Sequence, residues 1–299
     1  VNESSRESET PMATQYTIYL VNNGASSKVF WGFLQPPQEL AAQSGVFANS
    51  SASLEVAPNV GPQVNKFIIP VQYVVGAGAS NKAIGLRTQV ISDFSQDTEL
   101  GQGWLANYAT APPNKGPLIE KGENPNEGSK ILIASNKFNQ EQNEANSWFS
   151  NMSFGIQTSS GYMGMTWSPA PNEKRTLSPK LNFYVTTGSF GSNQLADWTD
   201  VNSQAASIGL RNFDSRHEVT VTLTGTGEWT VTPGRPTSNL EQGALHTLIQ
   251  SQLLLAEAHS NLTRLLGSGA MDTATVPSSS SGEQLRVAGA KNQLLTRNP

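Results

Sequence analysis

Short runs of β-branched and aromatic residues, each cut off by glycine, proline or asparagine, recur through residues 14–235. Such runs suit a pleated backbone, where successive side chains point to opposite faces and bulky Cβ substituents pack against their neighbours. Tyr16-Thr17-Ile18-Tyr19-Leu20-Val21 is the first, and Asn22-Asn23-Gly24 stops it. Lys28-Val29-Phe30-Trp31-Gly32-Phe33-Leu34 follows and ends at Pro36-Pro37, so residues 22–27 read as a hairpin loop. Further strands are expected at Ser53-Leu54-Glu55-Val56 and over 67–75, the latter with Pro70 at a bulge or edge. Residues 84–91 alternate, with Ile84, Leu86, Thr88 and Val90 on one face, and 104–108 and 130–134 add two more strands. Ser159-Ser160-Gly161 and Gly225-Thr226-Gly227 each sit between strand-like runs and predict hairpins at 152–167 and 218–232. Residues 180–187 alternate as a strand, and 139–149 reads as a short helix.

Only 14% of the residues are charged, and the 26 glycines and 17 prolines supply turns. An average globular chain carries roughly 25% charged residues. A weakly charged, turn-rich chain with about a dozen short strands predicts an all-β fold, an antiparallel, jelly-roll-like β-sandwich over 14–235. The stretch 111–129, rich in proline, glycine and charge, is where a subdivision would fall. Neither half shows a self-contained strand set, so one domain is expected.

Pro233-Gly234-Arg235-Pro236 ends the β pattern. From Leu240 to Leu266 no proline occurs, and Ser238 or Asn239 can cap a helix. Leu245, Leu248, Leu255, Leu262 and Leu266 fall at three- and four-residue spacing, with Gln252 and His259 at the missing heptad positions. An amphipathic helix over 238–267 is therefore expected, ending at Gly267-Ser268-Gly269. Its stripe predicts either docking within the chain or association with a copy of itself or a protein partner. Residues 1–13 read as a disordered tail or cloning remnant, and 268–299 as a low-complexity disordered tail.

The chain has no cysteine, which removes disulfides, thiolate metal sites and cysteine nucleophiles. The formal charge is −4 and no lysine–arginine cluster occurs, which argues against nucleic acid as a partner. No apolar run is long enough for a membrane span, and no classical signal peptide is visible; the expected location is cytoplasmic or reached by non-classical export. The histidines His217, His246 and His259 lack metal-ligand spacing, and Gly76-Ala77-Gly78-Ala79-Ser80-Asn81 lacks the lysine–serine pair of a phosphate loop. No cofactor or metal is expected. Sequons at Asn2, Asn49, Asn151 and Asn261 are near chance in so serine-rich a chain.

Trp198 lies between Asp197 and Asp200, an arrangement in which an indole can stack on a sugar ring while carboxylates bind hydroxyls. Three functional classes follow, in order. The first is a non-catalytic scaffold that associates through its leucine helix. The second is a lectin-like module binding glycan through Trp198, Asp197 and Asp200. The third is a hydrolase using a pair of loop carboxylates drawn from Asp93, Asp97, Glu120, Glu123, Asp197, Asp200 and Asp214.

Overall fold

The fold is seen in a computed structural model, which describes residues 14–41, 43–58, 65–90, 94–110 and 116–237. The leucine stripe (Leu245, Leu248, Gln252, Leu255, His259, Leu262 and Leu266) lies outside the described residues, as do both expected tails. Along the chain the elements are β1 (Gln15–Asn22), β2 (Lys28–Leu34), α1 (Gln38–Ala41), β3 (Val46–Ser50), β4 (Ser53–Val56), β5 (Lys66–Pro70) and β6 (Tyr73–Ser80). Then come β7 (Phe94–Thr98), β8 (Gly103–Asn107), β9 (Leu118–Lys121), β10 (Ile131–Ser135), α2 (Gln140–Ala145), β11 (Phe149–Thr158) and β12 (Gly161–Trp167). The last are β13 (Lys174–Leu177), β14 (Phe183–Thr187), β15 (Gln194–Ala196), α3 (Trp198–Ser203), β16 (Ala206–Ile208), β17 (Glu218–Leu223) and β18 (Trp229–Pro233).

The protein is all-β. Its strands form one six-stranded sheet, β15-β3-β12-β11-β6-β7, and three four-stranded sheets, β18-β17-β1-β5, β16-β14-β2-β4 and β13-β10-β8-β9. Among the described strands every pairing is antiparallel except β1 with β17 and β8 with β10. One core joins all four sheets: Ile18, Phe67 and Val221 meet Phe30, Phe183 and Ile208, and also Phe154, Met165, Ile131 and Trp104. Gly32 sits where three sheets converge. A Cβ there would collide with Met163 and come within 3.2 Å of Phe67.

The unbroken apolar run of β2 has a structural cause. Phe30 and Leu34 belong to the main core, while Trp31 and Phe33 form a second cluster with Ala48, Ala196 and Val201 on the other side of the same strand. A strand buried on both faces needs no alternation.

The hairpins at 152–167 and 218–232 form, as β11–β12 and β17–β18. Gly161 has φ +129 and no room for a side chain beside the Ser51 carbonyl, so glycine is required at that turn. Other expectations need correction. β1 and β2 belong to different sheets, so residues 22–27 are not a hairpin loop. Asn22 folds that passage by donating to the carbonyls of Ser26 and Val56 at 2.9 and 2.8 Å. The run 67–75 is two strands, β5 and β6, in different sheets, because the chain turns a corner after Pro70. The helix expected at 139–149 spans only Gln140–Ala145, capped by Asn139, and Phe149 already begins β11. Residues 84–90 are not a strand; they make a single bridge, Gln89 to Gln194. Arg87, at φ +59, breaks the extended path.

Candidate functional site

The six-stranded sheet has two unlike faces. On one, Met152, Phe154 and Ile156 of β11 lie opposite Trp167, Met165 and Met163 of β12 and Ala77, Val75 and Tyr73 of β6. All nine belong to the buried core. On the other, Ser153, Gly155 and Gln157 lie opposite Thr166, Gly164 and Tyr162, and Ser153 and Gly155 face Gly76 and Val74. The period of two that drives one set of side chains into the core thus lays the other set on an outer face.

A cleft of about 470 Å³ opens on this outer face. That falls within the ~300–1,000 Å³ usual for ligand sites. Its wall and floor carry four amide side chains (Asn49, Gln89, Gln157 and Asn193) and five hydroxyls (Ser51, Ser95, Ser153, Tyr162 and Thr166). Val74, Val90, Gly76 and Gly161 complete it. Among the described residues no lysine, arginine, aspartate, glutamate or histidine lines this floor cleft.

Tyr162 owes its place to glycine. The facing pair Gly155 and Gly164 leaves a trough, and the hydroxyl end of the Tyr162 ring lies over it. A Cβ at either glycine would collide with the ring. An aromatic ring laid over glycine in a neighbouring strand restores the packing that the missing side chains leave open. Burial pushes the Tyr162 phenol well above the ordinary tyrosine range, with a smaller opposing effect from the neighbouring Ser153 hydroxyl. Thr166 donates to Asn49 Oδ1 at 3.0 Å, which fixes the amide and leaves its Nδ2 unclaimed among the described residues.

A second cleft of similar volume, about 470 Å³, lies at the β15 edge of the same sheet. Asp197 and Asp200 line it with Arg87, Phe190, Thr187 and Gln204. The two clefts occupy opposite sides of β3, since Asn49 and Ser51 line the first and Ser50 the second. Asp197 is committed locally: its Oδ1 accepts from Thr199 N–H at 2.7 Å and caps α3. Trp198 is not among the residues lining this edge cleft. Its ring packs edge-on to Phe33 at 6.4 Å and joins both core clusters, and its indole N–H is buried without a partner among the described residues. The three residues singled out from sequence therefore divide, with two carboxylates in the edge cleft and the indole packed against the core.

Three of the other candidate acids make structural contacts, and Asp93 lies outside the described residues. Glu123 pairs with Lys174 at 2.6 Å, Glu120 accepts from Asn107 at 2.6 Å, and Asp214 accepts from the backbone N–H of Arg216 and Glu218. His217 is exposed and packs against the Tyr16 ring at 4.8 Å. Among the described residues no group of three or more His, Asp or Glu side chains could hold a metal ion, and no helix is long and apolar enough to cross a membrane. The sequons at Asn49 and Asn151 are buried, at 8% and 0% exposure, so neither offers its amide to a glycosylating enzyme in the folded chain.

Sequence reasoning missed Asn49, Gln89, Ser153, Gln157, Tyr162 and Asn193. A signal was present for some of them. Ser153 and Gln157 alternate with Met152, Phe154 and Ile156, and Gly155 and Gly164 stand symmetrically about the turn. Nothing local could have brought Gln89 or Asn193 to the same place.

No family model matches the chain, and neither a curated protein nor a solved structure shows significant similarity to it.

Proposed function

We propose that the protein is a non-catalytic, lectin-like module that binds a neutral glycan in the floor cleft. One observation carries this: a ligand-sized cleft lined by amides and hydroxyls around an aromatic ring, with no charged side chain among the described residues. Amides and hydroxyls both donate and accept, which matches sugar hydroxyls, and the tyrosine ring offers an apolar face for ring C–H groups. A phosphate or nucleic-acid ligand would call for cations that the described residues of the cleft do not supply. A hydrolase would need two carboxylates flanking the scissile bond, and the described residues of the floor cleft supply none.

An array of neutral and acidic glycans, followed by calorimetry on the hits, tests the proposal. Neutral oligosaccharides should bind, and affinity should change less than about threefold with salt, because no ion pair forms. Tyr162→Ala should weaken binding by about tenfold or more, and Trp198→Ala by far less. Binding confined to acidic glycans, or loss with Trp198→Ala alone, would end this assignment.

Self-association through the Leu245-to-Leu266 stripe is a separate proposal that rests on heptad spacing alone. Light scattering of the full chain against a chain ending at Pro236 reads it, and two monomers would remove it.

A further inference from the structure

β6 and β7 are adjacent antiparallel strands, with Ala77 opposite Phe94. Hairpin neighbours are usually joined by about 2–5 residues. Here residues 81–90 instead run to the opposite edge of the sheet and meet β15. Arg87 N–H donates to the Leu195 carbonyl at 2.8 Å, Leu195 N–H donates to the Thr88 carbonyl at 3.1 Å, and Gln89 bridges Gln194. Strands β11, β12 and β3 lie between β6 and β15. The strap therefore passes the three strands that separate β6 from β15.

This strap forms a wall of the floor cleft. Gln89 and Val90 line it together with Ser95, Ser153 and Tyr162. Yet nothing from the strap enters the core. No residue from 81 to 90 is buried, and Leu86, near its tip, is 55% exposed. The tip is a compact turn, closed by Thr88 N–H donating to the Gly85 carbonyl at 3.1 Å. Both sides of the contact carry non-glycine residues in left-handed conformation, Arg87 at φ +59 and Asn193 at φ +56. β15 does not depend on the strap: it pairs with β3 through Gln194–Ala196, and Ser50 Oγ donates to the Gly191 and Gln194 carbonyls from β3. Segments with few buried apolar contacts open locally while the rest of a fold stays closed.

We infer that the strap is a gate for the floor cleft. It detaches from β15 as a unit, with the sheet intact, and the detached form admits the glycan. The glycan part rests on the function proposed above; the opening does not.

The absence of cysteine makes a clean test available. Gln89 and Gln194 face each other across an antiparallel bridge. Opposed Cα atoms there lie ~4.5–5.5 Å apart, within the range a disulfide spans. The variant Gln89→Cys/Gln194→Cys can therefore be compared with itself, oxidised and reduced. Association with a neutral oligosaccharide should be at least about tenfold slower in the oxidised form and recover on reduction. Equal association rates in the two forms would overturn the gate and leave the glycan assignment standing. The second readout needs no ligand. In the wild-type chain the amides of Arg87 and Leu195 should exchange with solvent at least about 100-fold faster than those of Phe154 and Met165. Equal protection would overturn the opening. If no neutral glycan binds, the glycan assignment falls and the exchange comparison decides the strap.

Discussion

On one face of the β11–β12 hairpin, Phe154 meets Met165 and Ile156 meets Met163; on the other, Gly155 meets Gly164 and Gln157 meets Tyr162. The same two strands carry both sets, one residue apart. The inner set is sealed, with Phe154, Ile156, Met163 and Met165 all at 0% exposure. Buried apolar area is what holds a fold together, so the inner face secures the sheet. The outer face contributes little of that area and is free to carry hydrogen-bonding groups. Even its aromatic ring is seated by the absence of side chains at Gly155 and Gly164. Stability and recognition are thus separated by the pleat itself, and substitutions on the two faces should fail in different ways.

The largest expected effect is on the inner face. Phe154→Ala should lower unfolding free energy by about 3–5 kcal/mol, the range for emptying a buried aromatic site. Chemical denaturation measures it; a loss below about 1 kcal/mol would mean that this face does not anchor the sheet. Gly164→Val comes next, on the outer face. It displaces the Tyr162 ring and presses on the Phe154 backbone carbonyl, so stability should fall by about 1–3 kcal/mol. Glycan binding should vanish while the folded-state circular dichroism is kept. Retained binding would show that the seated ring is dispensable. Gln157→Ala sharpens the contrast further. Its side chain is exposed, so stability should move by less than about 0.5 kcal/mol. Affinity should drop by about tenfold, equivalent to roughly 1.4 kcal/mol. An unchanged affinity would remove Gln157 from the site.

The smallest effect concerns pH, because each face carries a phenol. Burial pushes Tyr73, on the inner face, up to about 12, and burial also raises Tyr162 on the outer face. An unfolded tyrosine titrates near ~10. Both groups are therefore held neutral in the fold, and their contribution is complete below pH ~10 and lost as pH rises toward the folded values. Tyr162→Phe should flatten the decline in stability above about pH 10. An identical decline in the variant would mean that the phenol is open to solvent.

Much of the strand content was legible because strands advertise themselves locally. β2 and β4 coincide with the expected residues, and the turns at Gly161 and Gly225-Thr226-Gly227 join true hairpins. The failures are equally local in origin. Asn22-Asn23-Gly24 does turn the chain, but it delivers β2 to another sheet. Residues 84–90 have a strand's alternation and find only one bridge partner. β3, β7, β9, β13, β15 and β16 are three to five residues long, too short for a periodic signal to stand above a serine- and asparagine-rich background. The site was less legible than the fold. Trp198 was chosen for its polar neighbours, whereas its ring is held by Phe33, far away in sequence.

The residue order alone determined that the chain is built of many short strands, because alternation and turn chemistry act over a few neighbouring residues. Which strands pair, and hence which polar positions meet in one cleft, was decided only by tertiary structure. Gln89, Asn49, Gln157 and Asn193 share a wall because β15 and the strap lie at one edge of a sheet whose centre is the β11–β12 hairpin. Pairings of that kind depend on contacts between residues a hundred or more positions apart, and many arrangements satisfy the same local pattern. Burial of one common apolar face selects among them.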